Sequence, residues 1–236
     1  MSAYGASRIG TRPHVDNGEV MKLKSVQVTN FRSVEDSGEF EVGELASLVG
    51  KNEAGKSALL QALAALNPHP ATPVTFDLER DYPRRFLTEY SSRHKGEQAI
   101  VIRTRWDLSP EERLSVDAQF GKGAIGDGIE IVRRYGASHP EIQAHIDWGV
   151  IIRQLLDSHE LTTAEREPLS KANNTKTFRA ALTEIEVRST RQTKLLETLD
   201  AFPGGTVTGA VESLLKSFVP RFLYFSHYDR MVGPGR

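Results

Sequence analysis

The chain has 236 residues, 39% hydrophobic and 26% charged, a globular balance that excludes a disordered, fibrous or collagen-like protein. Lys plus Arg number 30 against 31 Asp plus Glu, a formal charge of −1, so any binding to nucleic acid or anionic lipid must use a local patch. There is no cysteine, which excludes disulfide frameworks, thiol nucleophiles and thiolate zinc sites, and no apolar run approaches the roughly 20 residues that span a bilayer. The expectation is a cytoplasmic protein with no membrane partner.

Residues 1–20 are polar and without period, and read as a flexible leader rather than a secretory signal. In Lys22–Thr29, Val26 and Val28 share one face, as in a strand. Gly38–Val42 and Leu45–Val49 are further short apolar segments, the second read as a buried strand leading into a glycine-containing loop, Gly50–Ser57. Ala58–Leu66 is built from good helix formers, its leucines at 59, 60, 63 and 66 share one helical face, and Asn67-Pro68 stops it.

Beyond a Pro-, Asp- and Arg-rich stretch, Gln98–Trp106 alternates: Ile100, Ile102, Thr104 and Trp106 on one face, Arg103 and Arg105 on the other. Ser109-Pro-Glu-Glu predicts a capped helix start with Glu112 closing the box; Gly121–Gly128 reads as a flexible turn and Ile129–Tyr135 as a strand. From Pro140 the period becomes helical through Ile142, Ile146, Val150, Ile151 and Leu155. Thr162 and Glu165 suit a second capping box, Thr177–Leu199 a long charged helix, Thr208–Phe218 another, and Phe222–Phe225 a returning buried strand. The class is α/β with a mixed sheet, in one domain over 21–236: a core at 21–66, an antiparallel strand lobe at 98–135, a helical insertion at 140–218 and the returning strand at 222–225.

Gly50-Lys51-Asn52-Glu53-Ala54-Gly55-Lys56-Ser57 fits the phosphate-binding pattern G-x-x-x-x-G-K-[ST] at every fixed position. A loop wrapping a polyphosphate turns its backbone N–H groups inward, which Gly50 and Gly55 permit, and the helix that follows offers its positive end. Lys56 can reach the β- and γ-phosphates of ATP, and the Ser57 hydroxyl can ligate Mg²⁺. The competing reading is a glycine-rich turn with an incidental Lys-Ser.

The stretch from Met21 to about Leu66 resembles the N-terminal lobe of the ABC-type ATPases of the RecF, SMC and SbcC group, with Asn30-Phe31-Arg32-Ser33 at the corner that ends the first strand. The resemblance implies that Arg32 and Ser33 lie near the nucleotide, Arg32 close to the base or α-phosphate; the plainer reading makes Phe31 core and Arg32 solvated. Asp77–Tyr90 and the closing PRFLYFSHYDRM look like the OLD (overcoming lysogenisation defect) ATPases, and sustained coiled-coil heptads are absent. That resemblance implies ATP hydrolysis coupled to DNA repair or anti-phage defence, a dimer, and DNA as partner. Arg84 and Arg85 could face phosphate or DNA, or solvent.

Hydrolysis also needs a carboxylate at the end of a buried strand and a water-positioning residue. No Asp or Glu follows four apolar residues; Asp157 and Asp229 are poor candidates, and Leu169-Ser170-Lys171-Ala172 lacks the glycine of an L-S-x-G signature. The chain therefore reads as the N-terminal half of an ATPase head, with a C-terminal half or a Toprim-type nuclease domain expected elsewhere. Seven histidines lack metal-ligand spacing; His145 reads as an edge-of-core residue on a helix. His227-Tyr228-Asp229 at a strand end and Gln98 before its strand are weak site candidates. Two other functions stay open: a non-catalytic, nucleotide-dependent interaction module, and a P-loop small-molecule kinase with Arg84, Arg85 and Arg93 as a lid.

Overall fold

Apolar alternation builds the sheet. The computed structural model describes residues 20–50 and 55–225; most of the leader, Lys51–Ala54, and His227, Tyr228 and Asp229 lie outside the described residues. Strand β1 (Lys22–Phe31) pairs with β2 (Val34–Asp36) at one end and with β3 (Phe40–Glu41) further back, and β4 (Ile100–Asp107) pairs along its other edge. Next come β5 (Ile129–Arg134) and β6 (Glu141–Gln143), giving the order β2-β1-β4-β5-β6 with every strand pairing antiparallel.

Val26, Val28, Ile102, Trp106, Ile129 and Ile131 are all buried, as the alternation requires. Thr104 joins them because its hydroxyl donates to the Ile131 carbonyl at 3.1 Å and accepts from the Trp106 indole at 2.8 Å, so no polar atom is stranded. On the opposite face Arg103 meets Glu130 at 2.9 Å and Arg134 meets Glu141 at 3.1 Å.

Helix α1 (Lys56–Ala64) packs on β1 and β4. Its buried side is made by Ala58, Ala62 and Ala64, whereas Leu59 and Leu63 are half-buried and Leu60 is 46% exposed. The expected leucine face is thus only partly the buried one: small side chains bring the helix close to the sheet, Leu59 and Leu63 flank the contact, and Leu66, just past the helix, is fully buried. Then come α2 (Leu78–Asp81), a 3₁₀ turn at Arg84–Glu89 and α3 (Tyr90–Arg93). They fold an aromatic cluster over the end of β1, with Phe76 edge-on to Phe31 at 5.4 Å and Tyr82 edge-on to Tyr90 at 5.0 Å.

Helix α4 (Pro110–Phe120) starts as its sequence dictates, with the Ser109 hydroxyl accepting from the Glu112 N–H and the Glu112 carboxylate accepting from the Ser109 N–H. The helix expected from Pro140 begins later. Ile142 lies in β6 opposite Ile131, Ile146 bridges Ile125, and Asp147 caps α5 (Trp148–Ser158) through the Val150 N–H. Pairing with the free edge of β5 wins over a helical period that Ile142 and Ile146 satisfy only by coincidence.

The Thr162–Glu165 box opens α6 (Thr163–Arg166), and a 3₁₀ turn at Glu167–Leu169 follows. The single helix expected over Thr177–Leu199 is two, α7 (Thr175–Glu184) and α8 (Thr190–Ala201). Arg188 donates to the carbonyls of Leu182, Thr183 and Ile185 and seals the first, while Ser189 caps the second through the Gln192 N–H.

After a 3₁₀ turn at Pro203–Gly205, Thr206 caps α9 (Val207–Phe218). Phe222–Phe225 is not a buried strand: only Phe222 makes a bridge, parallel to Pro68, and Phe225 is 72% exposed. Leu45–Val49 is likewise no strand, with Leu45 89% and Val49 93% exposed. Neither segment has a strand beside it among the described residues, and strand propensity without a pairing partner makes no strand.

Candidate functional site

Four described residues frame the loop whose middle, Lys51–Ala54, lies outside the described residues. Gly50 ends the segment before it; Gly55 stands at the N-cap of α1 with φ 78 and ψ 7, a left-handed conformation. A Cβ on Gly55 would stand 2.8 Å from Val34 Cγ2 and 3.4 Å from the Ser33 hydroxyl oxygen. Conformation and space both require glycine here. The Lys56 ammonium donates to the Gly50 carbonyl. Ser57 is exposed in the first turn of α1.

The first turn of any α-helix carries N–H groups without intrahelical acceptors. Among the described residues no side chain caps those of α1, and no acidic side chain sits in that turn. A helix end with those properties, fronted by Gly55 and Lys56, favours an anion. The described part of the site suits a phosphate-bearing ligand: Lys56 would meet the phosphates, and Ser57 would supply one oxygen to Mg²⁺, whose charge would shield them. Among the described residues no cluster of three or more His, Asp or Glu forms a separate metal site.

The corner Asn30-Phe31-Arg32-Ser33 is built beside this loop. Asn30 and Arg32 both take left-handed backbone, φ 53 and 55, around a buried Phe31. That strain is held from three sides: Tyr135 donates its hydroxyl to the Asn30 carbonyl at 2.6 Å, the Asn30 amide donates to the Ile100 carbonyl at 3.2 Å, and the Arg32 N–H donates to the Asp81 carbonyl. Burial pushes the Tyr135 phenol well above its ordinary range. The Arg32 side chain donates Nε to Asp81 Oδ1 at 3.1 Å and Nη1 to the Gln61 side chain on α1. Burial raises the Asp81 carboxyl, but hydrogen bonds from Arg80, the Asp77 backbone and Arg32 outweigh it and hold the group below its ordinary value.

The structure thus brings Arg32, Ser33, Gly55 and Lys56 into one neighbourhood. Other candidates fall elsewhere. Gln98 lines an open groove of about 500 Å³ with Asn30, Glu35, Arg93, Arg103 and Arg134, and its amide packs against Gly136. Arg85 pairs with Glu35 and lies over the Phe86 ring, while Arg84 is exposed. His145 is exposed in the connection between β6 and α5, a correction to its helical, edge-of-core reading. Asp157 sits on α5 and accepts from Arg166 at 2.5 Å. Gln61 and Asp81 are the residues that sequence reasoning missed. Gln61, four residues past Ser57, could have been found from helical spacing; Asp81, inside the charged run Asp77–Asp81, gives no sign of being buried.

No helix among the described residues is long and apolar enough to cross a membrane. No curated protein matches the chain. The model of the AAA ATPase domain matches residues 21–194, which span the corner, the glycine loop, α1 and most of the helical region, and the chain belongs to that family of P-loop nucleotide-binding ATPases.

Proposed function

We propose that the chain binds Mg-ATP through Gly50, Lys51, Asn52, Glu53, Ala54, Gly55, Lys56 and Ser57, with Arg32 and Ser33 beside the bound nucleotide. The carrying observation is the glycine-only cap of α1, a first turn without an acidic side chain, and the Lys56 ammonium on the Gly50 carbonyl. Lys56 would be the residue that meets phosphate during hydrolysis. The resemblance of Met21–Leu66 and Asp77–Tyr90 supports an OLD- or RecF-like head acting in DNA repair or anti-phage defence. DNA and a second copy of the chain, or a C-terminal half, are then its partners. Equilibrium binding of ATP tests the site: Lys56→Ala is expected to weaken affinity at least tenfold, since it removes charge-assisted hydrogen bonds to phosphate. Equal affinity, or none in either protein, overturns the reading.

A second reading, an interaction module in which nucleotide serves assembly, is favoured by one observation. The Leu45–Val49 segment, which enters the loop, and the Phe222–Phe225 segment present large apolar side chains to solvent. A partner that pairs with them would complete the sheet beside the phosphates. Steady-state turnover separates the two: Lys56-dependent ATP hydrolysis by the chain alone refutes a purely structural role.

A further inference from the structure

We propose that Asp81, together with Gln61, is a positioning residue for the phosphate site, holding the Arg32 guanidinium beside α1 where it meets a phosphate-bearing ligand on the Gly50–Ser57 loop. The proposal rests on the nucleotide reading above and adds the device that aims its arginine. Asp81 stands in a run, Asp77-Leu-Glu-Arg-Asp81, that by composition belongs to a solvated surface, yet it is 1% exposed. A buried carboxylate must be paired. Its Oδ1 accepts from Arg32 Nε at 3.1 Å and Arg80 Nε at 3.2 Å, its Oδ2 from Arg80 Nη2 at 2.8 Å and the Asp77 N–H at 3.1 Å. Its backbone carbonyl accepts the Arg32 N–H. Asp81 therefore fixes Arg32 at both ends, main chain and guanidinium, and Gln61 accepts from Arg32 Nη1, one of the two outer arms.

Three consequences point toward the loop. Asp81 and Asp77 together balance Arg80 and Arg32 in charge, yet the Arg32 side chain remains 41% exposed, open to an incoming anion. An arginine already ordered loses little rotamer freedom on binding. The corner is also in contact with the loop itself, because Val34 and Ser33 fill the space where a Cβ of Gly55 would be.

The test is a cycle of variants read by equilibrium ATP binding, with denaturation midpoints measured alongside: wild type, Lys56→Ala, Arg32→Gln, Asp81→Asn and the double variant. Arg32→Gln and Asp81→Asn are each expected to weaken ATP about tenfold, as loss of one charge-assisted contact does. The double variant should bind no worse than Arg32→Gln, although its midpoint falls further. Should Asp81→Asn not fold, Gln61→Leu carries the same test, with about a threefold loss expected in wild type and none in Arg32→Gln. Losses that add in the double variant mean that Asp81 acts on the fold at large and overturn the proposal, as does wild-type affinity in Arg32→Gln. If Lys56→Ala binds like wild type, the nucleotide reading itself fails; if only Lys56→Ala loses binding, that reading stands and the positioning role falls.

Discussion

Arg133 lies on the core face of β5 opposite Ile102, and only 6% of it is exposed. Its guanidinium carbon sits 6.0 Å from the Phe76 ring centre, its Nε has no hydrogen-bond partner among the described residues, and burial lowers its pKa. An unsatisfied buried donor costs about 1–3 kcal/mol, so Arg133→Met, which keeps the apolar stem against Phe76, should stabilise the chain by about 1 kcal/mol in a urea titration. Asp81 behaves in the opposite sense. Its folded pKa lies below the ordinary 3.8, so its contribution is complete above that value and is lost as pH falls through the depressed one. The stability gap between wild type and Asp81→Asn should stay constant at neutral pH and close only below pH 3.8. The phosphate loop was legible because its chemistry is local, eight residues in a row. The buried state of Asp81 and Arg133 was not, because each depends on segments distant in sequence that fold over it.

At the scale of elements, caps were the most legible signals. Ser109 and Glu112 mark the start of α4, and Thr162 and Glu165 that of α6. The Ser189–Gln192 box was hidden, since helical periodicity runs on from α7 into α8 and masks the break that Arg188 and Ser189 create. Ser189 also reaches back to α6: its hydroxyl, then the Thr162 backbone and hydroxyl, hold the Glu165 carboxyl down to about 2. Ser189→Ala should therefore do two things. Stability should fall by about 1 kcal/mol from the lost cap. The Glu165 carboxyl should titrate closer to its ordinary 4.5, observable by NMR as a shift of its side-chain resonance.

Over the whole molecule, alternating strands and amphipathic helices were readable because their periods are properties of short windows. Leu45–Val49 and Phe222–Phe225 show why this reading stops short: each has strand composition, but a strand exists only where another backbone pairs with it. What does tie the segment after α1 to the segment after α9 is Asn67. Its side-chain amide donates to the Val219 and Pro220 carbonyls, both at 3.0 Å, while its own carbonyl accepts from the Phe222 N–H at 2.9 Å. Asn67 and Val219 are 152 residues apart. Closing a loop of that length in an unstructured chain costs about 4 kcal/mol in the length-dependent part of the entropy. The clasp is therefore expected to shut last, after sheet and helices have shortened the path between its halves, and to be absent from the folding transition state. Asn67→Ala should leave the refolding rate unchanged in stopped-flow experiments and speed unfolding roughly fivefold to thirtyfold, for a loss of about 1–2 kcal/mol. An asparagine three residues past the end of α1 thus governs how long the folded state survives in time.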